Sequence, residues 1–168
     1  MVKDRIALAE YFNELGFTRG AEIGVADGRY SEILCQKIKG LELLAVDPFY
    51  RPGHYERAIE RLKPFKVTIK REISMKAVLE VPDKSLDFVF IDGNHKFDYV
   101  MEDIIGWSRK VRRGGIVSGH DYYQFHSSGV IQAVNAYVEE HKVDLNLTLR
   151  GVAEHKDDQC PSWWFIKI

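Results

Sequence analysis

The chain is short of cysteine, of long apolar runs and of any surplus of charge. Its two cysteines, Cys35 and Cys160, lie far apart without a Cys-x-x-Cys spacing. That excludes a zinc knuckle or a disulfide framework and suits a reducing compartment. No apolar run approaches the ~20 residues that span a bilayer, and no early segment joins a basic start to an apolar stretch and a small-residue cleavage site. A cytoplasmic protein without a membrane partner is the expectation. With 24 Lys and Arg against 25 Asp and Glu, the net charge is −1, so no whole-chain positive field recruits nucleic acid. Small molecules are the expected partners. Repeats, linkers and low-complexity segments are missing too, and the 168 residues suit one domain over 1–168 with one sizeable core.

What is present is a regular alternation of helical stripes and short apolar runs. Between Asp4 and Leu15, Ile6, Leu8, Ala9, Tyr11, Phe12 and Leu15 cover one helical face, and Gly16 follows as a C-terminal cap, so 1–16 is a leading helix. A strand over Ala21–Val25 runs into a turn at Ala26-Asp27-Gly28 and a helix ending at Gly40. A second strand, Leu41–Val46, ends at Asp47. A helix after Pro52, a strand over Phe65–Ile69 and a short helical stretch at Met75–Leu79 follow. The run Phe88-Val89-Phe90-Ile91 then stops at Asp92-Gly93-Asn94-His95. The next helix turns Phe97, Val100, Met101, Ile104 and Val111 inward and breaks at Gly114-Gly115. Arg109, Lys110, Arg112 and Arg113 read as cations favoured at its C-terminal end. A fifth strand, Gly115–Ser118, closes at Gly119-His120-Asp121-Tyr122. Ser127-Ser128 caps a further helix, and 145–150 and 162–168 pair as a hairpin, the polar stretch with Asp157-Asp158 lying between them. The order implies an α/β fold with a mostly parallel sheet and a C-terminal antiparallel hairpin.

A carboxylate where a buried strand emerges is partly desolvated, and it persists there only if hydrogen-bonded, paired or bound to metal. Ligands of open parallel sheets bind outside the carboxyl ends of the strands. Asp92, His95, His120 and Asp121 are therefore candidate site residues. The spacing Glu22-x-Gly24-x-x-x-Gly28 is not the dinucleotide Gly-x-Gly-x-x-Gly; it reads equally as a tight turn and as a place where backbone N–H groups approach a ligand. Asp47, 19 residues beyond Gly28, is placed to accept ribose hydroxyls.

Taken together, these motifs over Ala21–Tyr123 resemble a class I S-adenosylmethionine-dependent methyltransferase of the small-molecule O-methyltransferase type, typified by caffeoyl-CoA and macrolide-sugar enzymes. The resemblance implies a Rossmann-like doubly wound sheet with 21–123 as the cofactor-binding core and 127–168 as a C-terminal helix and hairpin. It implies a cofactor site made by Glu22, Gly24, Gly28, Asp47, Ser74 and Asp92, with Ser74 near the adenine. It further implies methyl transfer to a hydroxyl of a sugar or phenolic acceptor, His95 as general base beside Asp92, and a divalent metal (magnesium, manganese or another) on Asp92, His120 and Asp121. Two departures stand out. Ala26 replaces the middle glycine of the first turn, acceptable if its φ is negative, and His120 replaces the first of an acidic pair, which moves the donor set from magnesium toward manganese, iron, nickel or zinc.

Three other readings stay open at this stage: a nucleotide- or NAD-binding protein, a metal-dependent hydrolase, and a non-catalytic cofactor-binding module. The acceptor pocket has to come from the leading helix, the Phe49–Tyr55 and Tyr122–Ser128 loops with their aromatics, or the second subunit of a homodimer.

Overall fold

The computed structural model describes residues 2–149 and 159–168. Seven strands form one sheet in the order β3-β2-β1-β4-β5-β7-β6. They are β1 (Arg19–Ile23), β2 (Glu42–Val46), β3 (Val67–Lys70), β4 (Leu86–Ile91), β5 (Val111–Gly119), β6 (Asn146–Leu147) and β7 (Trp163–Ile166). The first five in that order run parallel, whereas β7 lies antiparallel to both β5 and β6. This is the doubly wound sheet that the resemblance implied, with the antiparallel hairpin that the order of elements implied. The hairpin's stretch from Arg150 to Asp158 lies outside the described residues.

Among the described residues six α-helices cover the two faces: α1 (Arg5–Glu14), α2 (Arg29–Lys37), α3 (His54–Leu62), α4 (Ser74–Ala77), α5 (Phe97–Lys110) and α6 (Val130–His141). One face takes Ala77 of α4, Val100, Ile104 and Trp107 of α5, and Val130, Ala133 and Val134 of α6. The opposite face takes Leu8, Ala9 and Phe12 of α1, Tyr30 and Leu34 of α2, and Ala58 and Leu62 of α3. Coverage on both sides explains why β4 is apolar almost throughout rather than alternating. Each such large side chain contributes about 1.5–3 kcal/mol by burial. Among the described residues no helix is long and apolar enough to cross a membrane.

The leading helix begins where Asp4 accepts the Ala7 N–H (2.8 Å). It ends in a left-handed Gly16 (φ 71°), where Gly16 N–H donates to Asn13 O and Phe17 N–H to Phe12 O. A hydrogen bond from Leu149 N–H to Lys3 O (3.0 Å) ties the approach to α1 to the residues following β6.

Several boundaries differ from the sequence reading. The helix expected to run to Gly114 stops at Lys110, because Val111 pairs with Leu86 and draws the chain into β5. Arg112 is thus a strand residue; its guanidinium pairs with Asp87 at 2.7 Å and lies over the Phe17 ring, so it is no helix-end cation. Phe97, expected inward, is 41% exposed at the first turn of α5. Gly129, not Ser127 or Ser128, occupies the N-cap of α6.

Candidate functional site

Strand order reverses between β1 and β4, and there a cleft of about 1110 Å³ opens at the carboxyl ends of β1, β2 and β4. Its back wall is the turn after β1. Gly24 (φ 90°) approaches β4 so closely that a Cβ would lie 2.0 Å from the Asp92 carbonyl oxygen, and only glycine fits. The turn is held by Asp47, whose carboxylate accepts from Val25 N–H (2.8 Å), Ala26 N–H (2.9 Å) and Phe49 N–H (2.5 Å). Three of a carboxylate's roughly four lone-pair directions are therefore engaged by backbone. Ala26 sits at φ 50°, in the left-handed region, so the expectation of a negative φ is overturned: it is the first central residue of the tight turn that Gly28 N–H closes onto Val25 O (2.9 Å). Gly28 (φ 83°) starts α2 but does not line the cleft; its Cβ direction faces Ala58 of α3 at 3.3 Å.

Glu22, 1% exposed on β1, lines the cleft floor and accepts from the Ser31 hydroxyl. Burial pushes its carboxyl up to about 8, with the Ser31 hydrogen bond acting the other way. At the opposite wall Ser74 donates to Asp103 and accepts from the Trp107 indole N–H (2.8 Å). Asp103 lines the cleft beside Ser74, and burial raises its carboxyl to about 6.

The ends of β4 and β5 meet at the remaining side. His95 Nε2 lies 3.0 Å from Asp121 Oδ2 and 3.8 Å from Asp92 Oδ1. Donor atoms of Asp92, His95 and Asp121 all fall within 4.8 Å of one another. The His95 loop is pinned by Gly129 N–H donating to His95 O (2.7 Å), and Phe125 meets the imidazole edge-on. Asp121 and then Asp92 hold His95 protonated, up to about 10, against the effect of burial. Burial acts to raise Asp121, but His120 and His95 outweigh it and hold that carboxyl well below the usual carboxylate range.

Arg5, at the first position of α1, reaches into the same cleft, with a guanidinium nitrogen 3.7 Å from Asp92 Oδ2. Its guanidinium lies over the Tyr30 ring at 4.9 Å, and the Tyr30 hydroxyl donates to Arg5 O (2.9 Å).

Six expected site residues thus face one cleft: Glu22, Gly24, Asp47, Ser74, Asp92 and His95. Asp121 joins through His95. The expected ligand set Asp92, His120 and Asp121 does not converge; His95 takes the third place, while His120 is 5% exposed with Nδ1 3.3 Å from Asp121 Oδ1. The His120 ring is instead buried beside Phe90, with centroids 6.4 Å apart. Of the aromatics expected at an acceptor pocket, Phe49 and Tyr50 line the cleft, whereas Tyr122 is engaged with Asn135. Arg5 and Asp103 were missed. Each carried a signal, a charged residue on an inward stripe: Arg5 with Leu8, Ala9 and Phe12, and Asp103 with Val100, Ile104 and Trp107.

A model of the methyltransferase domain family matches residues 21–122, the span that builds this cleft. The chain belongs to that family. A relative of this methyltransferase domain, an uncharacterized protein of Acanthamoeba polyphaga mimivirus, is 28% identical over 129 residues, covering 71% of this chain and 58% of that protein. The chain thus spans little more than half the length of that relative. Among solved structures it is similar to an O-methyltransferase from Bacillus cereus in complex with SAH (TM-score 0.76, 14% identity, 96% of this chain and 80% of that one). It is also similar to an rRNA methylase from Streptococcus thermophilus (TM-score 0.73, 14% identity, 100% and 99%) and to the N-methyltransferase NodS from Bradyrhizobium japonicum (TM-score 0.70, 15% identity, 97% and 94%). At these identities the likeness is one of fold.

Proposed function

We propose that the protein binds S-adenosylmethionine in this cleft and transfers its methyl group to a hydroxyl of a small sugar or phenolic molecule. The observation that carries the reading is one cleft, in a methyltransferase-family chain, holding the glycine turn after β1, Asp47 and Ser74 at one side and Asp92 with His95 at the other. Glu22, Gly24 and Asp47 serve the methionine and ribose side, and Ser74 the adenine. Asp47 keeps one lone-pair direction for a ribose hydroxyl while fixing the turn with the others.

Methyl transfer is an in-line displacement at a sulfonium, so the protein has to align an acceptor lone pair with the methyl carbon and take up the acceptor's proton. The reading gives that proton to His95, which lies 3.0 Å from Asp121 and 3.8 Å from Asp92. Held as imidazolium by the two carboxylates, it becomes a base only after releasing its own proton, which places its action on the alkaline side.

Two carboxylates and an imidazole with mutually close donor atoms fit a divalent ion of the manganese, iron, nickel or zinc kind better than magnesium. Asp92, His95 and Asp121 would hold it; His95 would then be a ligand in place of the base, and the bound ion would itself lower the acceptor hydroxyl's pKa and orient it. The test is calorimetric titration with S-adenosylhomocysteine, with and without manganese or magnesium. Micromolar binding is expected, with a heat that changes when manganese is present. No binding under any condition would remove the methyltransferase reading.

A further inference from the structure

Beside the ends of β4 and β5 lies a second, much smaller cavity of about 10 Å³, walled by His120 and Trp163, by Asp92 and His95, and by the apolar Val100 and Val130. His120 is 5% exposed and Trp163 1%. Their ring nitrogens His120 Nε2 and Trp163 Nε1 are buried and find no hydrogen-bond partner among the described residues. Buried polar atoms are ordinarily satisfied, so two such atoms on one cavity point to a shared partner. The hairpin brings them together. Gly119 pairs with Trp163 across β5 and β7, and lacking a Cβ it lets the indole lie on its backbone; an added Cβ would meet Trp163 Cζ2 at 2.5 Å. His120 follows directly, its backbone N–H donating to Ile91 O (3.0 Å).

A cavity of this size admits a single water molecule, and a buried water is held by polar atoms on its walls. An indole N–H can only donate. A neutral imidazole donates from one nitrogen and accepts at the other, and the partner of one nitrogen decides which. His120 Nδ1 lies 3.3 Å from Asp121 Oδ1, while Asp121 Oδ2 lies 3.0 Å from His95 Nε2. A carboxylate accepts, so Nδ1 is the donor and Nε2 the acceptor. We propose that the cavity holds one water molecule that accepts from the Trp163 indole N–H and donates to His120 Nε2, and that His120, fixed in this tautomer, is a positioning residue for Asp121. The chain from Trp163 through water and His120 then sets which oxygen Asp121 turns to His95. Trp163 comes from outside the span that matches the family, so β7 takes part in arranging the centre. The proposal rests on the reading above in which Asp121 serves that centre.

The test uses NMR of the full chain with isotope-labelled histidine and tryptophan rings, at mildly alkaline pH. Long-range proton–nitrogen correlations should show His120 protonated at Nδ1 and not at Nε2, and the Trp163 indole proton should show a cross-relaxation contact with water. Trp163→Phe, which removes the donor to that water, should release His120 into a mixture of tautomers. The Nε2–H tautomer in the native protein, or an indole proton without a water contact, overturns the proposal. Calorimetric titration with manganese then reads the effect on Asp121. His120→Leu should weaken manganese about ten- to a hundred-fold, the range for a group that orients a metal ligand. His120→Asn, which keeps an N–H near the Nδ1 position, should restore most of that loss. A merely structural His120 would lower the melting temperature in both variants and leave manganese affinity of the folded protein unchanged, which overturns the positioning role. If the native protein binds no manganese, the metal reading falls, and the ring spectrum alone upholds or overturns the proposal.

Discussion

An imidazole 3.0 Å from one carboxylate and 3.8 Å from another keeps its proton far into the alkaline range, and His95 is so placed. Opposite charge favours the charged form, so removing a carboxylate must lower the pKa. In Asp121→Asn the His95 titration, followed by NMR of the ring protons, should move down from about 10 by about 1 to 3 pH units. The alkaline rise of methyl transfer measured without added metal should move down with it. A rise that stays in place would detach His95 from the proton transfer. At this scale the strand-end residues were legible because a charge where an apolar run stops is conspicuous. Arg5 and Asp103 lie on the inward stripes of their helices, but only packing shows whether a charged group on such a stripe enters a cleft or reaches past the sheet to solvent.

The turn after β1 is where three elements bind one another. Gly24 touches the β4 backbone at Asp92, Asp47 at the end of β2 caps two N–H groups of the turn, and α2 starts from Gly28. Ala26 accepts a left-handed conformation to make this possible, at about 1–2 kcal/mol for a residue with a Cβ. Ala26→Gly relieves that strain but adds freedom to the unfolded chain. Thermal or urea unfolding should therefore show a net gain of up to about 1 kcal/mol. A clear loss would mean that the Ala26 methyl packs usefully. The glycine spacing and the strand ends could be read from residue order alone, as could the helices' apolar stripes. The φ of Ala26 and the switch from α5 into β5 could not. The first is set by the turn that Gly28 N–H closes onto Val25 O, whose type residue order alone does not fix, and the second by a partner distant in the chain, Leu86.

For the molecule as a whole, the buried carboxyl of Glu22 links stability to pH. Folded, it holds its proton up to about 8, whereas its ordinary value is 4.5. Between those limits the folded state binds the extra proton, so stability is fully present below 4.5 and falls as pH rises toward 8. One such proton gives a slope of at most about 1.4 kcal/mol per pH unit. Urea unfolding across that window should show the decline, and Glu22→Gln should flatten it. An unchanged slope in the variant would assign the pH response to other groups. The mostly parallel course of the sheet was anticipated from alternating elements because parallel strands need helical crossovers. The leading helix was expected to pack on the sheet or border a pocket; residue order did not choose between them, and α1 does both, with Arg5 of its first turn lining the cleft.

The hydrogen bond from the Trp107 indole to Ser74 has an optical consequence. Ser74 faces the cleft while Trp107 is wholly shielded from solvent, so the indole is joined to the ligand space by one hydroxyl and otherwise insulated. The protein thereby carries a fluorophore wired to the Ser74 side of the cleft, so a ligand that displaces the Ser74 hydroxyl should be read in the Trp107 emission without a label.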